Sequence, residues 1–515
     1  MKTFWKRWAV LVTVLATAVV TCASSAGAAA TAASSPKSGG SLTVLVVAGT
    51  WPGLDPLTDS TPTADATEFN AIYGQLFESG PNGSLVADLA TGYQWADNHL
   101  ELKIFLRHGV TFTDGTQFNA TAVEYNIVRD LTPSYACHCL PNFAAVSSVT
   151  TAGNYTVLLH LSRLFSPLPS AFINAIPGYI YSPTALQSQG EQSFSANPVG
   201  AGPFKVQSDI ANSTLTLVKN SSYWEKGHPY LSSLTFQSEG QDSSALLSME
   251  SGEGQTITGL AQITSITQSK STPNWQVISP PSQLWEFVAL NQNAAPFNNI
   301  LAREAITYAT NPKQLSAVLY HGYYPVTEAP SSSGQLFYQW KVPGYDAYNL
   351  TKAKALVSQL GGLTVNLQTT SNTVYWSTEA EALASQWALA GITTNIDVTS
   401  LLQLEVSLKD NNWQAADSNW GNYADPALAL PNYFSSTGPF TGTHDGSLDG
   451  LMNKGAALVN PTLRKTIYFQ IYQRMATQAD AVFLYQKKTF TVALKSVHGL
   501  PTNQPNNYWE NVWLS

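Results

Sequence analysis

Segments with the period of a strand and segments with the period of a helix alternate along the second half of the chain, and this alternation constrains the fold most strongly. Between residues 363 and 420 the order is strand LTVNLQTT, helix STEAEALASQWALA, strand GITTNIDVTS, helix QLEVSLKDN and strand WQAADSNW. A helix RKTIYFQIYQRMATQA and a strand VFLYQKKTFTVAL follow. Such alternation is typical of a mostly parallel sheet covered on both faces. The sequence therefore predicts an α/β fold.

The first half of the chain contains more strands and longer loops. Apolar or alternating residues predict strands at SLTVLVVAG, LELKIFLRHG, NYTVLLHLS, TLTLVKN and LSSLTFQS. The segment NATAVEYNIVRDL predicts a helix that begins at Asn119 or Thr121. Because 515 residues exceed what one core usually contains, we expect two or more lobes.

The composition argues against one class of function. Hydrophobic residues make up 44% of the chain, which is ample for a packed core. Charged residues make up only 11%, against about 25% in a typical soluble domain. No stripe of lysine or arginine appears along the chain, so we expect no nucleic-acid partner.

The N-terminus indicates export. The basic segment MKTFWKRW precedes the apolar run AVLVTVLATAVV, which is shorter than a membrane span and suits a signal peptide. Two processing routes remain open: lipidation at Cys22, or cleavage within AGAAA. We therefore interpret residues 1–39 as a signal peptide and flexible tether. The protein is expected to be lipid-anchored at the cell surface or to be periplasmic or extracellular.

The other two cysteines, Cys137 and Cys139, stand in the segment YACHCLP. A local disulfide and two free thiols are both compatible with an exported chain. A metal site that includes His138 is the weaker alternative, because no fourth ligand is close in sequence. We therefore expect no metal.

Motifs for familiar reactions are absent from the sequence. There is no G-x-S-x-G elbow, no H-E-x-x-H zinc helix and no phosphate-binding G-x-x-x-x-G-K-[ST] loop. The eight histidines are scattered. The chain is expected to be neither an enzyme nor a cofactor protein, although a catalytic triad assembled only in space would escape this search.

Several segments resemble the family 5 extracellular solute-binding proteins, the peptide, nickel and oligosaccharide receptors of ABC importers. They share the order of that family and include LATGYQWADNHLELKIFLRHGVTFTDGTQFNATAVEYNIV, NPVGAGPFKV, ALNQNAAPFNNILAREAITYATNPKQL and WGNYADPALALPNYF. The position of Ala122 departs from the pattern, since the family usually has an acidic residue there.

The resemblance implies a two-lobed fold of the periplasmic-binding-protein type (type II), which closes like a hinge over its ligand. The first lobe would comprise residues 40–289 and 488–515, with an extra subdomain at about 81–198. The second lobe would comprise residues 290–487. The implied partners are a small solute and a membrane permease with its ATPase, and the receptor is expected to be a monomer.

Two charged groups that hold peptides in this family are missing. Peptide-binding members place an aspartate three residues before the Asp-Pro pair, where this chain has Asn422. Dipeptide-binding members place an arginine in the loop that corresponds to SNTVYWST, residues 371–378, which contains no basic residue. We therefore expect an uncharged ligand such as an oligosaccharide, or a longer peptide held by its backbone. Asp59 and Asp417 remain open as partners for an amine.

Aromatic and amide side chains are the candidate ligand contacts. Rings and amides suit sugars and uncharged groups, which bind by stacking and hydrogen bonding. A core position is the alternative for each of these residues. The candidates are Trp285, Trp376, Trp420, Asn422, Tyr423 and Tyr485.

Asp425 is the only ionisable side chain in the segment SNWGNYADPALALPNYFSS, and it precedes Pro426. Aspartate followed by proline is a common helix start, in which the carboxylate accepts backbone N–H bonds. We therefore interpret Asp425 as a structural cap that contributes on the order of 1 kcal/mol.

The preferred function is an extracellular receptor that captures a peptide or another polar solute and delivers it to a permease. Two alternatives remain: a secreted hydrolase, and a surface sensor or peptide-holding protein on the same fold.

Overall fold

The computed structural model describes residues 35–47, 53–57, 66–345, 348–371, 374–421, 423–440, 442–504 and 508–515. The predicted signal peptide with Cys22, and the positions of Asp59 and Asn422, lie outside the described residues. Among the described residues, no helix is long and apolar enough to cross a membrane.

The strands of the described residues are β1 (Ser41–Val47), β2 (Phe77–Ser79), β3 (Leu85–Ala87), β4 (Ala90–Trp95), β5 (Glu101–Leu106), β6 (Val146–Thr151), β7 (Thr156–Leu161), β8 (Phe204–Ile210), β9 (Thr214–Lys219), β10 (Ser233–Glu239), β11 (Thr256–Thr258), β12 (Trp275–Ile278), β13 (Leu284–Leu290), β14 (Leu363–Thr370), β15 (Ile392–Thr399), β16 (Ala415–Trp420), β17 (Ala481–Lys487), β18 (Thr491–Leu494), β19 (Val497–His498) and β20 (Trp513–Leu514).

The α-helices are α1 (Ala66–Ile72), α2 (Ala120–Asp130), α3 (Leu140–Phe143), α4 (Pro183–Gln189), α5 (Glu191–Ala196), α6 (Asp242–Glu250), α7 (Ile263–Ser271), α8 (Ile300–Ala309), α9 (Pro312–Leu319), α10 (Leu350–Gln359), α11 (Val374–Ala388), α12 (Leu401–Lys409), α13 (Pro431–Phe434), α14 (Gly446–Ala457) and α15 (Pro461–Gln478). Short 3-10 turns span Pro81–Gly83, Pro133–Tyr135, Leu168–Phe172, Ile176–Gly178 and Pro426–Leu428.

A seven-stranded sheet has the order β12-β18-β11-β1-β10-β9-β8. Its central strand β1 is buried and runs parallel to both of its neighbours, β10 and β11. The apolar alternation of SLTVLVV places Leu42 and Val44 in one core and Leu45 in another, on the opposite face of the sheet. This sheet therefore has a hydrophobic layer on each side.

A five-stranded sheet has the order β15-β14-β16-β13-β17. Strands β14, β15 and β16 run parallel, whereas β13 runs antiparallel to both β16 and β17. Apolar residues of α8 to α11 cover one face, and those of α12, α14 and α15 cover the other. The predicted α/β class, with helices on both faces of a sheet, is confirmed. The sheet itself is mixed and not mostly parallel, because β13 pairs antiparallel with both of its neighbours.

A four-stranded sheet, β4-β5-β7-β6, forms the centre of the region between residues 90 and 161. Helix α2 packs beside it and begins at Asn119, whose side chain accepts a hydrogen bond from Ala122 N at 3.0 Å. Cys137 and Cys139 are joined by a disulfide and are buried in the same core. That core also includes Ala424 and Leu428, so this region contacts the segment after β16.

Two short segments connect the large sheets. Residues 279–283 lead from β12 in the seven-stranded sheet to β13 in the five-stranded sheet, and residues 488–490 lead back from β17 to β18. The sheet therefore changes between Ile278 and Leu284, a few residues before the predicted boundary at 289. The single strand predicted for VFLYQKKTFTVAL is wrong, because Lys488–Phe490 separates two strands that belong to different sheets.

Candidate functional site

The candidate site lies at one edge of the five-stranded sheet. Strands β14, β16 and β17 all end there, and antiparallel β13 begins there. Both connecting segments leave the sheet from this edge. In α/β proteins, ligands bind in the crevice outside the carboxyl ends of the parallel strands. The sheet order therefore points to this edge before any side chain is considered.

Trp285 is fully buried and lies opposite Trp420 in the ladder between β13 and β16. Its indole ring contacts Phe287, Phe434 and Phe483, with ring centroids 4.9 to 6.5 Å apart. The indole of Trp285 is therefore a core side chain in this conformation and presents no open ring face.

Trp420 and Tyr423 are half-buried at the end of β16. The Trp420 ring packs edge-on against Tyr433 and Phe440, at 5.3 and 5.8 Å between centroids. Burial raises the pKa of the Tyr423 hydroxyl, and a hydrogen bond with Asn142 lowers it in part. Both side chains retain partial exposure, which a ligand contact requires.

Trp376 lies in the first turn of α11, beside Tyr375, and both are half-buried. The Lys487 ammonium lies 4.8 Å from the centre of the Tyr375 ring and 5.6 Å from that of Trp376. A cation over aromatic faces is attracted by the ring quadrupoles. The segment 371–378, predicted as a loop, is helical from Val374 onward. It contains no basic residue, yet the end of β17 places Lys487 against it.

Three buried carboxyl groups lie next to this lysine, and we call Glu286, Glu379 and Asp417 the acid cluster. Glu286 Oε1 lies 3.4 Å from Lys487 Nζ, and Glu286 Oε2 accepts a hydrogen bond from Tyr375 OH. Glu379 Oε2 accepts hydrogen bonds from the hydroxyls of Tyr320 and Tyr485. Tyr485 is fully buried, so its hydroxyl serves this network in the described conformation.

A β-bulge brings Tyr485 into the network. Glu286 lies opposite Tyr485 in the ladder, whereas the next residue, Phe287, lies opposite Phe483. Leu484 is thus the extra residue of β17. Bulges re-aim side chains and are frequent next to functional sites.

Burial controls the protonation of the acid cluster. It raises the pKa of Glu379 to about 8, with Glu286 as a second cause and the two tyrosine hydroxyls opposing it. Burial also raises the pKa of Asp417 well above its usual value, and the charges of Glu379 and Glu286 raise it further. Lys487 opposes this shift only in part. Burial therefore favours the protonated form of both Glu379 and Asp417 in this conformation.

Asp425 is positioned at the start of the 3-10 turn Pro426–Leu428, where its Oδ1 accepts a hydrogen bond from Ala427 N at 3.0 Å. The sequence did not reveal its second partner. Arg464, from α15, donates to both carboxylate oxygens of Asp425, at 2.7 and 3.0 Å. Both side chains are buried, so Asp425 joins two elements in addition to capping one.

A cavity of about 290 Å³ lies beyond this turn. It is bounded by residues 427–437 on one side and by Asn142, Arg163 and Phe165 of the first half of the chain on the other. Ser166 N donates to Ala456 O at 2.7 Å at the same junction. The segment 418–436 therefore contacts both the sheet edge and the region around the four-stranded sheet.

The sequence analysis missed Glu286, Glu379 and Lys487. One signal was available: Glu286 interrupts the apolar strand LWEFVAL, and a charge inside a buried strand requires a partner. Glu379 cannot be distinguished by sequence from an exposed acid on a helix. Lys487 cannot be placed without knowing that β17 ends there.

Comparison with known proteins identifies the family. The profile described as "Bacterial extracellular solute-binding proteins, family 5 Middle" matches residues 84–441. The glutathione-binding protein GsiB of Pectobacterium atrosepticum is 27% identical over 368 residues, which cover 70% of this chain and 69% of that protein. For its counterpart in Salmonella typhimurium the identity is 28%, over 62% of this chain and 61% of that protein.

Solved structures share the fold. The ABC transporter substrate-binding protein CtaP of Listeria monocytogenes superimposes with a TM-score of 0.81 at 20% identity, covering 93% of this chain and 100% of CtaP. The oligopeptide-binding protein AppA of Bacillus subtilis, solved with a nonapeptide, gives 0.76 at 19% identity, with coverage of 93% and 100%. Together with the profile match, these findings place the chain in family 5 of the bacterial extracellular solute-binding proteins.

Proposed function

We propose that this protein is the extracellular receptor of an ABC importer. It captures a polar solute of the peptide class in the cleft between the two large sheets and delivers it to a membrane permease with its ATPase. The profile match over residues 84–441 and the similarity to glutathione-binding relatives support this function.

The single observation that carries the mechanism is the pair of connecting segments. Residues 279–283 and 488–490 join the seven-stranded sheet to the five-stranded sheet. Both leave from the edge at which the acid cluster and the half-buried aromatic residues lie. A few residues between two rigid bodies can absorb the dihedral changes of hinge closure. The site would therefore close around a ligand as the two sheets approach each other.

The half-buried side chains are the best supported ligand contacts among the sequence candidates. Trp376, Trp420 and Tyr423 keep exposed surface at the sheet edge. Trp285 and Tyr485 are fully buried and would stabilise the edge of the five-stranded sheet without contacting the ligand. Asn422 stays a prediction, because it lies outside the described residues.

The proposal assigns no catalytic step to the protein. The relatives are named as binding proteins, which supports a binding function over the secreted-hydrolase alternative. The extracellular character of the family supports export. Anchoring through Cys22 and a monomeric state remain parts of the proposal.

Native mass spectrometry of the purified protein tests this function. We expect a small solute to be retained and to be recovered unchanged after denaturation. Calorimetric titration with glutathione, tri- to nonapeptides and an oligosaccharide series should then give saturable binding to at least one class. Turnover of a bound compound would instead support the hydrolase, and failure of every compound to bind would contradict a receptor for these solutes.

A further inference from the structure

The acid cluster contains more carboxyl groups than the neighbouring cation can neutralise. Glu286 and Glu379 are 0% exposed and Asp417 is 1% exposed. Lys487 Nζ is the one ammonium that pairs with any of the three among the described residues, through Glu286. A buried carboxylate without a compensating positive charge is costly, and burial raises the pKa of both Glu379 and Asp417 accordingly.

Asp417 is the unusual member of this cluster. Neither of its carboxylate oxygens has a hydrogen-bond partner within the part of the chain that the structure describes. The adjacent Ser418 N–H lies close enough to lower its pKa but does not complete a hydrogen bond. Buried polar side chains nearly always have partners, so an unsatisfied aspartate in the middle of β16 needs an explanation. A ligand group that donates hydrogen bonds would supply one.

The rings of Tyr375 and Trp376 form aromatic walls beside the acid cluster, and such rings suit a cation. Tyr375 and Trp376 already hold the Lys487 ammonium over their faces. Lys487 retains 26% exposure of its side chain, and Tyr375 and Trp376 are half-buried. The acid cluster therefore reaches the partly exposed sheet edge at these three residues.

We propose that the acid cluster and its aromatic walls bind a cationic group of the ligand, a primary ammonium or a guanidinium, with Asp417 and Glu286 as the acceptors. This inference rests on the proposed receptor function and specifies the charge of its ligand. It replaces the expectation of an uncharged ligand, which followed from the two missing family positions. The cation site differs from position 422, because it is built from β13, β16 and the start of α11.

Binding a cation here favours the loss of a proton from Asp417. Burial favours the protonated form of Asp417 in the conformation described, and an ammonium within hydrogen-bond distance would stabilise its carboxylate form. The proton leaves to solvent, the ligand keeps its charge, and no covalent bond changes. The buried aspartate then has both a counter-ion and donors.

Matched peptides that differ only in charge test the site. The probes are Ala-Arg-Ala against its citrulline analogue, and Ala-Ala-Ala against its N-acetyl form, in calorimetric titrations. We expect at least one charged peptide to bind on the order of tenfold more tightly than its neutral counterpart. Asp417→Asn should abolish this difference and should keep or raise the thermal midpoint, because it removes an unsatisfied buried acid.

A second buried acid serves as the control. Asp480 is also 1% exposed, and it lies immediately before β17, at the opposite edge of the same sheet. Asp480→Asn should leave the preference for charged peptides unchanged. Equal binding of charged and neutral peptides, or an unchanged preference in Asp417→Asn, would overturn the cation site while the receptor function stands.

If none of the four peptides binds, the proposal that the ligand is a peptide is contradicted. The cation site is then tested with a separate probe. Methylammonium is then titrated alone while tryptophan emission is recorded, since Trp376 borders the site. Saturable quenching that Asp417→Asn abolishes supports the cation site. No response up to molar methylammonium overturns it.

Discussion

Asp425 shows how a single residue can have two structural roles of very different strength. Its carboxylate caps the turn at Pro426–Leu428, as the Asp-Pro pair in the sequence predicts. It also forms a bidentate pair with Arg464, whose side chain is 7% exposed against 1% for Asp425. A pair 39 residues apart in sequence leaves no local pattern, so only the cap could be anticipated. This buried ion pair raises the expected cost in stability of replacing Asp425.

Asp425→Ala should therefore cost much more than a lost cap. Removing one member of a buried ion pair leaves an uncompensated charge and typically costs about 3–5 kcal/mol. Asp445 is the matched control, because it caps α14 and pairs with Arg474 at 11% and 34% side-chain exposure. Asp445→Ala should cost about 1 kcal/mol in denaturant unfolding. Equal losses in the two variants would contradict the buried-pair account.

Glu379 gives the protein a pH-dependent stability. Its pKa is raised from 4.5 to about 8 by burial. As pH rises from about 4.5 to about 8, the unfolded chain loses this proton first, so the free energy of unfolding decreases across that window. The thermal midpoint of the ligand-free protein should be higher near pH 5 than near pH 8.

Glu379→Gln should reduce the slope of that profile, because glutamine carries no titrating proton. Part of the slope should remain, because burial also raises the pKa of Asp88, Asp130, Asp480 and Glu510. Glu381→Gln, an exposed change on the same helix, should leave the slope unaltered. Differential scanning calorimetry at several pH values measures both. A slope that persists in Glu379→Gln and equals that of the native protein would show that other groups determine it.

At the scale of elements, the spacing of apolar residues predicted strands and helices whose pattern is local in sequence. The strands at 363–370, 392–399 and 415–420 and the two helices between them appear where alternation and helical spacing place them. The split between β17 and β18 could not be anticipated, because strand membership is decided by distant partners. The turn after Asp425 is a 3-10 turn, which Asp-Pro spacing does not distinguish from an α-helix.

The first connecting segment is held at Gly421. This residue has φ of +149°, and a Cβ added there would lie 2.0 Å from Gln283 O. Gly421→Ala should therefore displace the segment at 279–283 and cost at least about 2 kcal/mol. Gly450→Ala is the control, since nothing lies within 4 Å of its Cβ position in α14. That change should stabilise the helix by about 0.5–1 kcal/mol.

Urea unfolding of both glycine variants measures the two changes in stability, which should have opposite signs. Gly421→Ala should also weaken ligand binding, since it alters the segment about which the sheets close. Native-like stability in Gly421→Ala would show that the close approach of Gly421 to Gln283 O does not hold residues 279–283 in place.

At the scale of the whole molecule, the order of family segments along the chain was sufficient to predict two lobes and an interlobe cleft. The charge of the site was not predictable, because Glu286, Glu379, Asp417 and Lys487 come from four elements that only the fold brings together. In the described conformation the two halves touch away from the connecting segments, through Ser166 N and Ala456 O.

Small-angle scattering with and without ligand tests the central claim most directly. The tightest-binding peptide of the titrations is added to saturation, and its non-binding neutral counterpart serves as the control. We predict a smaller radius of gyration with the binding peptide than with this control. An unchanged radius of gyration at saturation would contradict a receptor that closes about residues 279–283 and 488–490.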